Sequence, residues 1–369
     1  MKPVIQNLKK YDFIMLFCAL SASLLGMLFV YSATKSFDEH LKYIVVQGGA
    51  FLIGLFGMYI IAKIDYEDLA GVWPFFAGVG VFMLVLVLFI GTGGESTGTK
   101  GWIRFAGVGI QPAELAKVFF IITLSKHLYH IGNDVNYVKN VIFLALHLSV
   151  PVGLVILQPD MGTALVYIFI FVVMVFVAGI DIRYIIGALT AFSAFSVAAW
   201  YFLLSQYQRE RFFAFLNPEA SPGDYGYHVM QSKIAIGSGQ IAGKGLFQGI
   251  QTQLGYLPAK QTDFIYAVIG EEAGLVGCVI VLILLMSLIA RSVYIGKNAR
   301  TMLGTYLCTG VAAMWLFHTF ENIGMTVGLT PVTGIPLPFL SYGGSSLVTN
   351  LMALGLVLNV RMRKRTINF

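Results

Sequence analysis

The chain is short of charge. Only 11% of its 369 residues are Asp, Glu, Lys or Arg, under half of the roughly 25% found in soluble domains. With 57% hydrophobic residues, a globule in water would lack the polar surface to cover itself, so a soluble domain is excluded. Cysteine is scarce as well. Cys18, Cys278 and Cys308 all fall in apolar stretches, which excludes a disulfide framework and reads as small buried apolar side chains. Repeats and low-complexity segments are missing. His127 and His130 have a helical spacing that metal ligands use, but no carboxylate or Cys stands beside them, so they read as a wet helix end. GSGQIAGKG (237–245) has the look of a phosphate loop. It fails because its first glycine is misplaced, Gly245 stands where Ser or Thr is required, and no strand precedes it. The net charge of +6 follows the loops between apolar runs and is no sign of nucleic acid.

Long apolar runs are what the chain has in plenty. A spanning helix needs roughly 20 apolar residues. Windows of that kind lie near 12–33, 43–64, 70–91, 112–129, 139–158, 161–180, 183–204, 263–290, 302–325 and 342–360. The first follows MKPVIQNLKK and is too long for a signal peptide, with no small-residue cleavage site after it. The reading is an all-α polytopic membrane protein of about ten transmembrane helices, one domain over 1–369, with a large outer loop at about 205–262 between the seventh and eighth spans. Lys and Arg gather at the two ends and in alternate loops. The other loops hold only Lys35, Lys42, Lys100 and Arg104 among the short ones, so both termini are expected on the cytoplasmic side. YHVMQSKIAIGSG (227–239) has near-helical apolar spacing and suits a short helix at the membrane interface.

Polar residues inside such spans are costly and therefore informative. Glu114 and Lys117 are three apart on one face of the fourth span. They should pair and face a polar interior, whether as a lock on the bundle or as part of a site. His147 reads as a satisfied interior group. Asp160, in QPDMG, caps the sixth span or serves as a second acid beside Asp263. Asp263 stands where a polar loop enters the eighth span, with Thr262 or Asp263 as the expected N-cap. It is either a cap or a carboxylate held at the water–membrane boundary. Glu271 and Glu272 follow about 12 Å deeper. As neighbours they point in different directions, so one at most faces any given cavity. Glu114, Lys117, Asp160, Asp263 and Glu321 all fall in the outer part of their spans, and chance would scatter them across both leaflets. The loop above them is basic, with Arg209, Arg211, Lys233, Lys244 and Lys260 outnumbering Glu210, Glu219 and Asp224. That balance suits an anionic partner or is simply a solvated surface.

Seven stretches carry a family resemblance: GWIRFAGVGIQPAELAK, QPDMGTA, YQRERFFAFLNPE, YHVMQSKIAIGSG, GKGLFQGIQTQLGYLP, TDFIYAVIGEEAGLVG and NIGMTVGLTPVTGIPLPFLSYGGSSL. Together they resemble the SEDS family (shape, elongation, division and sporulation). YHVMQSKIAIGSG and GIQTQL are more similar to RodA, the elongation branch, than to FtsW, the division branch. The resemblance implies a peptidoglycan glycosyltransferase that polymerises lipid II at the outer face of the bacterial cytoplasmic membrane. It also implies a class B penicillin-binding protein and other elongation-complex proteins as partners. The family's essential acid falls on Asp263, its polar pair on Glu114 and Lys117, and its QPD acid on Asp160. Where the family has Glu and then His in LPE-x-HTDF, this chain has Ala259 and Gln261. The expected chemistry has Asp263 as general base on the acceptor hydroxyl. Arg209, Arg211, Lys117 and Lys244 would meet the pyrophosphate leaving group, with a divalent cation, Mg or Mn, as an optional aid. A lipid II flippase is the alternative, since an outward cavity with intramembrane charge fits transport too.

Overall fold

The computed structural model describes residues 12–93, 100–105, 108–202, 209, 215 and 225–363. Each apolar window contains one long helix. These are α1 (Phe13–Thr34), α2 (His40–Lys63), α4 (Trp73–Ile90), α5 (Pro112–Ile131), α6 (Val138–Ile156), α7 (Met161–Val177), α8 (Ile182–Phe202), α11 (Ile265–Lys297), α12 (Met302–Val327) and α13 (Gly344–Met362). The short helices are α3 (Tyr66–Gly71), α9 (Tyr225–Gly239) and α10 (Ile250–Gln253). Among the described residues, six helices (α1, α2, α4, α6, α11 and α13) are long and apolar enough to cross a membrane. α5 and α12 are also long, but they carry the polar groups of the interior and are the most enclosed. α12 packs between α11 and α7, and α13 lies mainly along α2. Large apolar side chains point outward instead of inward, among them Leu52, Phe56, Phe82 and Phe89. In lipid that arrangement carries no penalty, because acyl chains are as apolar as the side chains.

The structure corrects several expectations. A short helix, α3, precedes the 70–91 window, because Asp65 caps it by accepting from the Glu67 amide and Pro74 then opens α4. The segment after α4 forms a small antiparallel hairpin, β1 (Ile103–Phe105) with β2 (Val108–Ile110), pairing Arg104 with Gly109. The fold is therefore helical with one two-stranded hairpin among the described residues. α9 forms where expected but packs against α11 and α12, with Ser232 donating to the Thr326 carbonyl at 2.7 Å.

α11 breaks at Gly274, whose φ is +67°. The chain after α9 runs through the break: the amides of Leu275 and Val276 donate to the carbonyls of Gln240 and Ile241, and those of Lys244 and Gly245 to Glu271 and Glu272. A Cβ on Gly239 would lie 1.9 Å from the Gly270 carbonyl oxygen, so only glycine permits this approach. The glycines of the apparent phosphate loop serve this crossing.

Candidate functional site

Asp263 sits on a tight turn. The amides of Thr262, Asp263 and Phe264 all donate to the Ala259 carbonyl, at 3.1, 3.1 and 3.2 Å, and Ala259 has a φ of +43°. α11 begins two residues after Asp263, with Phe264 as its N-cap and no side chain capping it. The expected cap at Thr262 or Asp263 is thus replaced by a backbone turn. A second irregular segment, Pro331–Gly343, fixes this turn from the other side. Asn322 donates to the carbonyls of Asp263 (2.9 Å) and Ile335 (2.8 Å). Ser341 donates to the Thr262 carbonyl (2.6 Å), and the Tyr342 amide to that of Gln261 (2.8 Å). Gln47, from the middle of apolar α2, donates to the Ser341 carbonyl and accepts from the Gly343 amide, each at 3.1 Å. Irregular backbone at membrane depth is sustainable only with this kind of internal pairing. Gly334 has a φ of +77°, and a methyl group there would lie 3.6 Å from the Asp263 Oδ2.

Asp263 opens into a cavity of about 600 Å³. Glu114, Lys117, Asp160 and His318 line it with Asp263, as do Lys42, Tyr43, Trp102 and Arg104. Pro112 opens α5, so Glu114 and Lys117 stand in its first two turns. Lys117 Nζ lies 2.7 Å from Glu114 Oε1 and 2.9 Å from His318 Nε2. His318 Nδ1 is 3.2 Å from the Pro336 carbonyl, which can only accept. That fixes the tautomer: Nδ1 carries the hydrogen and Nε2 accepts from Lys117. Both members of the Glu114–Lys117 pair are buried, as the spacing predicts. Asp160 caps α7 through the Thr163 amide (3.0 Å) and also accepts from the Thr163 hydroxyl (2.9 Å) and Gln111 (3.1 Å). Asp160 is therefore the cap of α7 and also a residue of the cavity wall.

Other anticipated residues lie elsewhere. Lys244 pairs with Glu271 at 3.3 Å, beside the α11 break. Arg209 donates to the Tyr201 carbonyl at 3.3 Å. Neither lines the Asp263 cavity, and Arg211 falls outside the described residues. Glu271 accepts from the Gln251 amide, the Thr252 amide and the Thr252 hydroxyl at 2.8 to 2.9 Å. Glu272 accepts from Ser32 at 2.6 Å and Gln253 at 3.2 Å. Both acids thus anchor the loop before Asp263 and leave the cavity alone. Besides Lys117, the cavity has two further cations, Lys42 and Arg104, which entered the sequence reading only as markers of topology. Gln47 escaped it altogether, although a lone amide in the middle of an apolar helix was a readable signal.

The same set of groups can be compared with known proteins. The profile of the FtsW/RodA/SpoVE cell cycle proteins matches residues 12–366. The chain belongs to that family. A probable peptidoglycan glycosyltransferase FtsW of Geobacter metallireducens is 34% identical to it, over 98% of this chain and 97% of the relative. The peptidoglycan glycosyltransferase MrdB of Escherichia coli K12 is 36% identical, over 87% and 86%. Members named for both branches are thus about equally similar. Among solved structures, a peptidoglycan synthase complex that coordinates polymerization and crosslinking superposes with a TM-score of 0.81 at 32% identity, covering 95% of this chain and 97% of its own. The rod shape determining protein RodA of Thermus thermophilus gives 0.71 at 28% identity, covering 96% and 98%.

Proposed function

We propose that this peptidoglycan glycosyltransferase polymerises lipid II in cell elongation, at the outer face of the bacterial cytoplasmic membrane, with both its termini in the cytoplasm. Asp263 is the general base. It takes the proton of the acceptor sugar hydroxyl as that oxygen attacks the anomeric carbon of the donor. The bond to the polyprenyl pyrophosphate breaks in the same displacement, so the anomeric centre inverts. A pyrophosphate leaves as an anion and needs cations rather than an acid. Lys117 has three N–H donors, of which Glu114 and His318 take two, and Arg104 and Lys42 stand on the same wall. Arg209 and Lys244 stand away from this cavity, and Asp160 and Glu114 hold the acceptor side and the lysine in place. Gln261, in the place of the family's His, lines the cavity and is positioned to meet the substrate.

Divalent ions of the Mg²⁺ or Mn²⁺ kind bind through one or two carboxylates plus substrate phosphates. Asp263 is the carboxylate that would hold one, supplying charge to the pyrophosphate. Among the described residues no three His, Cys, Asp or Glu side chains cluster into a site made of protein alone. The partner is a class B penicillin-binding protein together with other elongation proteins, supported by the likeness to a complex that joins polymerization to crosslinking.

The observation that carries this reading is a carboxylate whose backbone is pinned by Asn322 and Ala259 at the wall of a cavity with Lys117 in it. The test is purified protein with labelled lipid II in detergent, with and without the penicillin-binding partner. Glycan strands from the native chain, lost in Asp263→Ala at equal folded fraction, support the enzyme. Lipid II movement across vesicles with no polymer formed supports the flippase instead.

A further inference from the structure

A second cavity, of about 500 Å³, lies among α4, α5, α6 and α7. It is in the size range of built ligand sites. Its walls are apolar, with Phe76, Leu84, Phe119 and Val150 among them, while its polar groups gather at the C-terminal end of α5. His130 there is 16 residues beyond Glu114 on the same helix, or about 24 Å at 1.5 Å per residue. The two cavities therefore open toward opposite ends of the bundle. Lys126, His127 and His130 line this one, and no acidic side chain does.

A fixed chain of hydrogen bonds underlies that cluster. Thr123 donates its hydroxyl hydrogen to the Phe120 carbonyl (3.1 Å), so its oxygen accepts from His147 Nε2 at 3.1 Å. His147 Nδ1 is then the bare nitrogen, and it accepts from His127 Nδ1 at 3.0 Å across stacked rings. The orientation leaves His127 Nε2 as an acceptor, so the donors toward a ligand at this end are Lys126 and His130. A metal-binding cluster would instead require several bare nitrogens or carboxylates converging, and none of that kind forms among the described residues.

We propose that this cavity binds an anionic phospholipid of the membrane leaflet opposite the Asp263 site. One acyl chain fills the apolar cavity, and the phosphate is held by Lys126 and His130. Apolar walls closed at one end by cations match a chain with a phosphate head, whereas a free anion has no use for the walls and a neutral lipid none for the cations.

A phosphatidic acid carrying a diazirine near its chain end, added to purified full-length protein in detergent, tests this directly. Photolysis followed by peptide mapping should place the adducts on the cavity-facing segments of α4, α5 and α6. Ala77→Phe, which fills the cavity, should abolish most of them. Lys126→Ala with His130→Ala should cut labelling by about fivefold per basic residue, while labelling by a diacylglycerol with the same diazirine chain stays weak in both proteins. The double substitution is on half-exposed and exposed positions, so it remains decisive if Ala77→Phe fails to fold. Equal labelling by the neutral and anionic lipids, or adducts spread over the outward faces of α2 and α8, would overturn the proposal. So would displacement of the lipid by inorganic phosphate alone.

Discussion

Asp263 and Glu271 stand about two turns apart at the start of one helix, yet they meet opposite fates. Glu271 is fully enclosed and accepts three hydrogen bonds from residues 251–252 as well as the ammonium of Lys244. Asp263 has its backbone pinned and its carboxyl at a cavity wall beside Gly334. The difference teaches that an acid in a membrane segment is a candidate for chemistry where it lines a cavity, and a fastener where backbone and side-chain donors take up its oxygens. Glu271 is a fastener for the loop that leads to Asp263, and the two residues are parts of one device.

Breaking each half separately should give distinct phenotypes. Asp263→Ala removes the base and should lower glycan synthesis by about 10²- to 10⁴-fold without shifting the unfolding temperature, as read by lipid II polymerisation and thermal unfolding of the same sample. Glu271→Ala leaves Lys244, Thr252 and two amides without their acceptor. It should destabilise the protein by about 3–5 kcal/mol, visible as poor yield and early unfolding, with activity per folded molecule kept. Asn322→Leu unpairs the Asp263 and Ile335 carbonyls. It should cost about 1–3 kcal/mol and lower turnover more than lipid II affinity, because the base is displaced rather than removed. Lys244→Ala should do least. Its partly exposed pair with Glu271 is worth under about 1 kcal/mol, and its distance from the Asp263 cavity leaves the rate unchanged.

Much of this was legible beforehand. Residues 12–33 and 43–64 read as spans because their apolar runs are long, and Glu114 and Lys117 read as a pair because three residues apart is one helix face. Asp160 as a cap followed from QPDMG. What escaped was long-range backbone pairing. Nothing local to Gln47 shows that its amide holds residues 341 and 343, and the hydrophobicity of EEAGLVG hides the break at Gly274 into which residues 239–245 insert. The placement of the cations is a long-range matter as well. Lys244 and Arg209 belong to a basic loop by composition, but their partners are Glu271 and the Tyr201 carbonyl, fixed by folding and not by charge count. The departure at Gln261 is clearer in three dimensions too, since its carbonyl accepts from the Tyr342 amide and the residue lines the cavity.

The central claim is that Asp263 acts on bound substrate rather than holding the protein or the lipid. Its most direct test measures lipid II binding and single-turnover glycan bond formation in Asp263→Asn, which keeps the side chain's shape and removes its basicity. Binding within about threefold of the native protein with bond formation down at least about a hundredfold is the predicted result. Bond formation at near-native rate, or loss of binding equal to the loss of rate, would contradict it.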